Sequence, residues 1–399
     1  MNNEVLSKYE ELYHSKPTYY AYSPGRVDLM GSHTDYNHGY VVTMPVNLVI
    51  DCAFSANDTD IIEIYSCNLK NKTKINTKTG DIIEGGNWAK YMSAVVKVLL
   101  DEDYELKAFS ASFCSTIPIG SGLSSSAALE AIAMAMLAQT SGFKIDKKNM
   151  ALLSQRAENV YVGVNCGILD QYSVIFGERH KVIKLDCREL THKQVSWPEE
   201  IMVAICNTNK PRELHGSEYD DRRAQCEEAV TEFAKIDSNI KALRDVSIDF
   251  FHQHKNKLTT GAAKRAEFII EENNRTHELE EALTKGEVEK LKDIFKRSFN
   301  GAKDLFEISN DAMENMYKAM SSATGVVASR QAGAGFGGCM VSLVYKDKLE
   351  EFKKDVFDTY KKLTGIECDI YGVKTALGTH VETIKSTNSK QVIKHTESE

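Results

Sequence analysis

The segment from Pro118, PIGSGLSSSAALEAIAMAMLA, sets Gly120 and Gly122 ahead of three successive serines, Ser124, Ser125 and Ser126. Glycine lets a backbone approach an anion closely, and a helix start adds unpaired N–H groups and a positive dipole end. The run Gly120, Ser121, Gly122, Leu123, Ser124, Ser125, Ser126 therefore suits a triphosphate. It is not a P-loop, because no GK[ST] follows, and Ser125 stands where a dinucleotide fingerprint needs its third glycine. A helix cap would explain one serine; three exceed what one cap needs.

A second segment, SPGRVDLMGSHTDYNHGYVVTMPV at residues 23–46, packs Arg26, Asp28, His33, Asp35, Tyr36, Asn37 and His38 between two strand-like stretches. Turns account for the glycine and asparagine. They do not account for an arginine, two aspartates and two histidines in thirteen residues. Dense polar side chains held by flanking strands are what a hydroxyl-rich ligand requires. A third segment, SRQAGAGFGGCMVSLVY from Ser329, brings Gly333, Gly335, Gly337 and Gly338 directly before a strand. Glycine-rich turns before strands are common, so alone it decides little.

The elements that must position these segments follow from periodicity. Stretches such as YYAYS, GYVVTM, NLVIDCAFSA, IIEIYSC, KAFSASFC and HKVIKLDC read as strands. Helical patterns fill WAKYMSAVVKVLLD and SSSAALEAIAMAMLAQT, the latter stopping at Gly142. After Pro211 the pattern is largely helical until GCMVSLVY and DIYGVKTA return to strand. A β-rich half followed by a helix-rich half indicates an α+β fold. We expect one domain over 1–190, a second over 191–382, and a polar tail over 383–399.

Bulk properties remove other classes. A net charge of −8 without basic runs argues against nucleic acid or an anionic membrane as partner. The polar N-terminus and the lack of any long apolar run predict a cytoplasmic protein with no membrane partner. Nine scattered cysteines without a CxxC pair read as free thiols.

Together the three segments resemble the three motifs of the GHMP kinase family, in the same order. The resemblance extends to the galactokinase branch. GRVDLMGSHTDYNHGY resembles its GRVNLIGEHTDYN signature, AENVYVGVNCGILDQ its AENxFVGxxCGIMDQ segment, and NTNKPRELHGSEYDDRRAQCEEA its NTN…SxYxxRRxxCE block. It spans roughly residues 20 to 380. It implies a two-domain fold, with an N-terminal domain like ribosomal protein S5 domain 2 and a ferredoxin-like C-terminal domain, and an active site in the cleft between them; we separately expect a monomer. The substrates implied are ATP with Mg²⁺ and a small sugar. Asp170 takes the place of the base for the anomeric hydroxyl, and Arg26 that of the cation beside it. Ser126 and Glu158 match the magnesium site, although a helix cap and a solvated helix face would explain them otherwise. Ser32, His33, Asp35, Gly167 and Tyr219 correspond to sugar contacts, and Trp88 to an aromatic beside the adenine, where a core tryptophan would also fit.

The sequence departs from the branch at four positions, one of them Ala334, where the branch usually has glycine, and Ser32 bears most on the substrate. Ser32 stands in place of the branch's glutamate, Asp28 in place of an asparagine, and Phe299 in place of a histidine. The expected reaction is ATP-dependent phosphorylation of galactose at O1. The alternatives are a 1-kinase for galacturonate or L-arabinose, and a sensor that binds galactose and ATP without turnover. A sensor should have lost the serine loop or the base, and both GSGLSSSAALE and GILDQ are intact.

Overall fold

The computed structural model of the chain describes residues 1–118, 120, 122–210, 216–333 and 335–384. Ser121 of the expected phosphate loop and the tail from residue 385 lie outside the described residues. Thirteen strands are present among the described residues, in two sheets.

The larger sheet holds β1 (Tyr19–Met30), β2 (Tyr40–Ala56), β3 (Ile61–Ser66), β4 (Asn71–Asn76), β5 (Ile82–Glu84), β6 (Phe109–Ser115), β7 (Lys181–Asp186), β8 (Thr191–Ser196) and β13 (His380–Thr383). Its main path runs β13-β1-β2-β6-β3-β4-β5, with β7 joined to β2 and β8 to β7. β3 runs parallel to β6. The smaller sheet is β10 (Val326–Gln331), β11 (Cys339–Tyr345), β9 (Ile201–Asn207) and β12 (Asp369–Val373), in that order across the sheet.

Eleven α-helices accompany them among the described residues. In the first half these are α1 (Asn3–Tyr13), α2 (Ala89–Asp101), α3 (Ser125–Ser141), α4 (Lys147–Arg156) and α5 (Leu169–Phe176). In the second they are α6 (Gly216–Ala234), α7 (Ile248–His254), α8 (Thr260–Lys285), α9 (Val288–Asp304), α10 (Asp311–Ser322) and α11 (Leu349–Thr364). This is the mixed α+β order that the sequence predicts.

α3 shows why the serine segment becomes a rigid platform. Alanine, leucine and methionine favour helix, and every residue from Ala127 to Leu137 is buried. Apart from Glu130, the stretch Ala127–Leu137 is apolar on every side because it lies inside the main core, packed on β1, β2, α2 and α5. Gly142 ends it at φ 80°, in the left-handed conformation that glycine adopts without penalty.

The polar segment of residues 23–46 differs from the expected loop. β1 does not stop near Ser23 but continues to Met30, with register shifts at Pro24/Gly25 and Asp28/Met30. Proline cannot donate to a ladder and is accommodated at such a bulge. Arg26 and Asp28 therefore project from a strand, and the true loop covers only residues 31–39. Gly31 at φ 97° starts that loop, where a Cβ would sit 2.5 Å from the Tyr40 carbonyl oxygen. No helix among the described residues is long and apolar enough to cross a membrane.

Candidate active site

Arg26 is nearly buried, and burial of a guanidinium demands partners. Its Nε and Nη2 both donate to Asp170 Oδ1, at 2.8 and 2.5 Å. Its Nη1 donates to the Gly122 carbonyl at 2.7 Å, and its backbone N–H to the Leu123 carbonyl at 3.1 Å. One strand residue thus fixes both the aspartate at the start of α5 and the glycine–serine loop before α3. Ser124 adopts φ 59° at the N-cap position, yet its side chain makes no cap bond. Its hydroxyl donates instead to Asp170 Oδ2 at 2.5 Å. The capping alternative therefore fails for Ser124.

These groups face a cavity of about 1280 Å³, larger than a single small ligand needs. Lining it are Arg26, Ser32, His33, Asp35, Trp88, Gly120, Gly122, Leu123, Ser124, Ser125, Ser126, Glu158, Gly167, Asp170 and Tyr219, so every expected site residue that is described meets there.

At one end, His33 stacks near Tyr219 and Phe306, with ring centroids at 5.6 and 4.7 Å, and its Nδ1 lies 2.9 Å from the Tyr36 hydroxyl. Gly167 passes so close to Asp35 that a Cβ there would lie 1.8 Å from Oδ2. Burial raises the Asp35 pKa to about 6, with Asp170 and Asp28 adding repulsion against the backbone hydrogen bond that lowers it. At the other end, Trp88 Nε1 donates to Asn71 Oδ1 at 3.3 Å, and its ring packs edge-on to Phe113. Leu69, Tyr91 and Ile117 complete that apolar end.

Between the ends sits an acidic group that the sequence reading caught only in part. Glu158 lies on a single π-helical turn, Ala157–Val162, and hydrogen-bonds with Ser126, Cys166 and Gln171. Gln171 also donates to Glu130, which is fully buried in α3. Burial and then Glu158 push the Glu130 carboxyl well up, while burial and then Asp170 raise Glu158. Glu130 Oε1 and Gln171 Oε1 are buried with no hydrogen-bond partner among the described residues. Oxygen-only donors, mutual repulsion and orphaned oxygens fit a hard divalent cation such as Mg²⁺. The signal for Glu130 was present as the lone charge in an otherwise apolar helix.

Also missed was the floor beneath Ser32. Arg330, wholly buried at the end of β10, donates from Nη2 to Ser32 Oγ at 2.7 Å and from Nη1 to the Leu29 carbonyl at 2.8 Å. Ser32 in turn donates to Asp28 Oδ2 at 2.5 Å. Glu272 of α8 lies 3.3 Å from Arg330 and accepts from Arg275, Ser298 and the Gly31 N–H. The Ser32 hydroxyl is thus committed to protein partners, and the third segment, through Arg330, brings a cation to that corner.

A glycine–serine loop at a helix start, an arginine-held aspartate and a cluster of buried carboxylates line one cavity, an arrangement suited to a kinase of small molecules, and the comparisons agree. The family models for the GHMP kinases N-terminal domain, the galactokinase galactose-binding signature and the GHMP kinases C-terminal domain match residues 90–178, 7–56 and 279–362. The galactokinase of Fusobacterium nucleatum is 34% identical over 357 residues, 88% of this chain and 91% of that protein. That of Clostridium perfringens is 32% identical over 92% of this chain and 96% of its own. The crystal structure of Lactococcus lactis galactokinase complexed with galactose superposes with TM-score 0.88 at 31% identity, covering 94% of this chain and 98% of that one. Methanococcus jannaschii mevalonate kinase, at 17% identity and TM-score 0.64, shares the fold. The chain belongs to the galactokinase family of the GHMP kinases.

The acidic group generates a stability prediction. Because the folded pKa of Glu130 is raised above 4.5, the native state holds that proton longer than the unfolded chain does. Stability is then fully present below the unfolded value and lost as pH rises through the folded one. Glu130→Gln should therefore melt about 2 °C higher than the parent at pH 8 without ligands, with the gap closing near pH 4.5. Thermal unfolding across that range checks it, and a variant that melts lower at pH 8 would refute the strained-carboxylate account.

Proposed function

We propose that this chain is an ATP- and Mg²⁺-dependent galactokinase, transferring the γ-phosphoryl group of ATP to O1 of galactose. The observation that carries the reading is the Arg26–Asp170–Ser124 contact, set at the mouth of the glycine–serine loop. Asp170 exposes about a quarter of its side chain to the cavity (28%), enough to meet a sugar hydroxyl. The O1 proton passes to Asp170 as the O1–phosphorus bond forms and the bond to the β-phosphate oxygen breaks, releasing ADP. A carboxylate is a weak base for an alcohol, so much of the rate must come from positioning and charge. Arg26 offsets charge developing at O1 and holds Asp170 in place. The N–H groups at the start of α3 receive the phosphates, and the Trp88 end receives the adenine. Ser126 and Glu158, with Glu130 behind them, would hold Mg²⁺, which would supply positive charge to neutralise the phosphates.

Asp35 accepts from sugar hydroxyls in its ionised form, walled by Gly167, with His33 and Tyr219 packing on the ring. The floor favours a neutral sugar. The Arg330 charge faces Glu272 and the Ser32–Asp28 chain, and burial already pushes the Asp28 carboxyl up, with Arg330 opposing. A uronic acid would bring another carboxylate towards it. The intact base contact speaks against a sensor without turnover.

Three outcomes are expected. Asp170→Asn should cut kcat by about 10²–10⁴ while the fold survives, and activity within threefold or so of the parent would remove Asp170 from the reaction. The kcat/KM for galactose should fall about tenfold per pH unit below pH ~6, because protonation removes the Asp35 charge and turns one of its acceptor oxygens into a donor, and Asp35→Asn should abolish that limb. Against a panel of galactose, L-arabinose and galacturonate, galactose should lead; a tenfold or so preference for either competitor would leave only the sugar-1-kinase class.

The fourth concerns Asp28 and Ser32 together. A glutamate introduced at 32 would abut Asp28, so Ser32→Glu alone should impair galactose turnover rather than preserve it. Adding Asp28→Asn should restore it, with a coupling energy of about 1–2 kcal/mol in a double-mutant cycle. Simple additivity of the two changes would show that the residues act separately.

A further inference from the structure

A pair of cysteines lies far from the sugar end, on the outer face of the larger sheet. In the parallel ladder of β3 and β6, Ser66 is opposite Phe113, and the Cys67 N–H donates to the Phe113 carbonyl at 2.9 Å. The next rung therefore brings Cys67 beside Cys114. Alternation in β6 sends Phe109, Ala111 and Phe113 into the main core and Ser112 and Cys114 to the opposite face. α1 covers that face through Val5 and Tyr9, with the Ser112 hydroxyl bound to the Val5 carbonyl. The first turn of α1 hangs Glu4 over the two sulfurs.

We propose that Cys67, Cys114 and Glu4 form a zinc site, with water as the fourth ligand. One ligand atom from each residue lies within 4.8 Å of the others. A tetrahedron with Zn–S of about 2.3 Å and Zn–O of about 2.1 Å has edges of roughly 3.4–3.8 Å, so small rotamer changes close the site. Two thiolates select a soft or borderline ion over the hard Mg²⁺ of the cleft. The thiols already hydrogen-bond each other, and burial raises both, so they are held as neutral groups until a cation replaces the protons. Lys8, one turn along α1 and ion-paired with Glu11 at 2.6 Å, adds some positive charge near Cys67. The carboxylate and the partly exposed Cys67 leave an entry path from solvent.

The site bears on the cleft from behind. Ser66, Asn68 and Leu69, next to Cys67, and Phe113 and Ser115, next to Cys114, line the Trp88 end of the cavity. Asn68 continues the contact, donating to the Ser115 carbonyl at 2.9 Å and accepting from its N–H at 2.6 Å. A bound zinc ion fastens α1 to both strands and so braces that wall.

The test uses the full-length reduced protein, stripped with a chelator and then supplied with Mg²⁺. Titration with Zn²⁺ should load one equivalent and raise Tm by roughly 3 °C at a hundredfold excess over Kd. Co²⁺ in its place should give a thiolate-to-cobalt charge-transfer band. Cys67→Ser and Cys114→Ser should each abolish the band and weaken zinc by more than ~100-fold, beyond the loss that an outer-shell change brings. The exposed Glu4→Gln, which leaves the buried packing alone, should keep the band and lose affinity. Cys166→Ser, which removes the thiol beside Glu158, should leave this zinc in place. The proposal is overturned if the reduced parent takes up no zinc, if the band survives both serine variants, or if the two thiols yield only a disulfide.

Discussion

Arg26 is the constraint around which the cleft is built. A guanidinium that is nearly buried must spend its donors on fixed acceptors, because an unpaired buried charge costs several kcal/mol. Its acceptors here are a carboxylate from α5 and a carbonyl from the loop before α3. Strand, loop and helix are therefore locked in one relative placement before any ligand arrives. The bulge at Pro24/Gly25 is what lets a strand residue reach that position, turning Arg26 towards the cleft while β1 still pairs with β2. Gly25 is required at the same point, since a Cβ would lie 2.8 Å from the Leu123 carbonyl oxygen. The same Leu123 carbonyl receives the Arg26 N–H, so the loop and the strand touch backbone to backbone.

Beside this locked corner lies a group that is deliberately unbalanced. Asp170 has Arg26 as its cation, whereas among the described residues Glu130 and Glu158 have amide, hydroxyl and thiol partners. Raised carboxyl pKa values are the physical record of that imbalance. In the free chain the imbalance costs stability. If a nucleotide and its metal bind there, as proposed, the same carboxylates would gain the positive charge they lack, and part of the stability withheld from the fold would become affinity.

How much of this was legible in the sequence varied with the physics of each part. The α3 platform was plain, because its composition and its Gly142 stop both follow local rules. The meeting of the serine loop, Arg26 and Asp170 was legible through motif resemblance; no spacing rule brings residues 26, 124 and 170 together. The strand carrying Arg26 and Asp28 reads as loop in the sequence, since its Pro24–Gly25 pair also marks turns, and only cross-strand pairing separates a bulge from a turn. Arg330 gave no signal at all. A glycine-rich turn follows it, every residue from Val327 to Gln331 is buried, and alternation cannot show which of them carries charge to the other half of the chain.

That last residue explains the two departures near the sugar end as one change. The branch pattern carries a neutral asparagine at 28 and a carboxylate at 32, while this chain carries a carboxylate at 28 and a neutral serine at 32. Either way the corner holds one acid at these two positions, and a buried Arg330 requires it, because Glu272 is shared with Arg275. Moving the acid from 32 to 28 draws it back beneath the serine, leaving the smaller hydroxyl at the cavity surface. The pocket gains room there without losing charge balance. Read singly, Ser32 looks like the loss of a sugar contact and Asp28 like an unpaired buried acid. Read across the hydrogen bonds that join them, they are a relocation of one charge, and the arginine that makes it necessary comes from the far end of the chain.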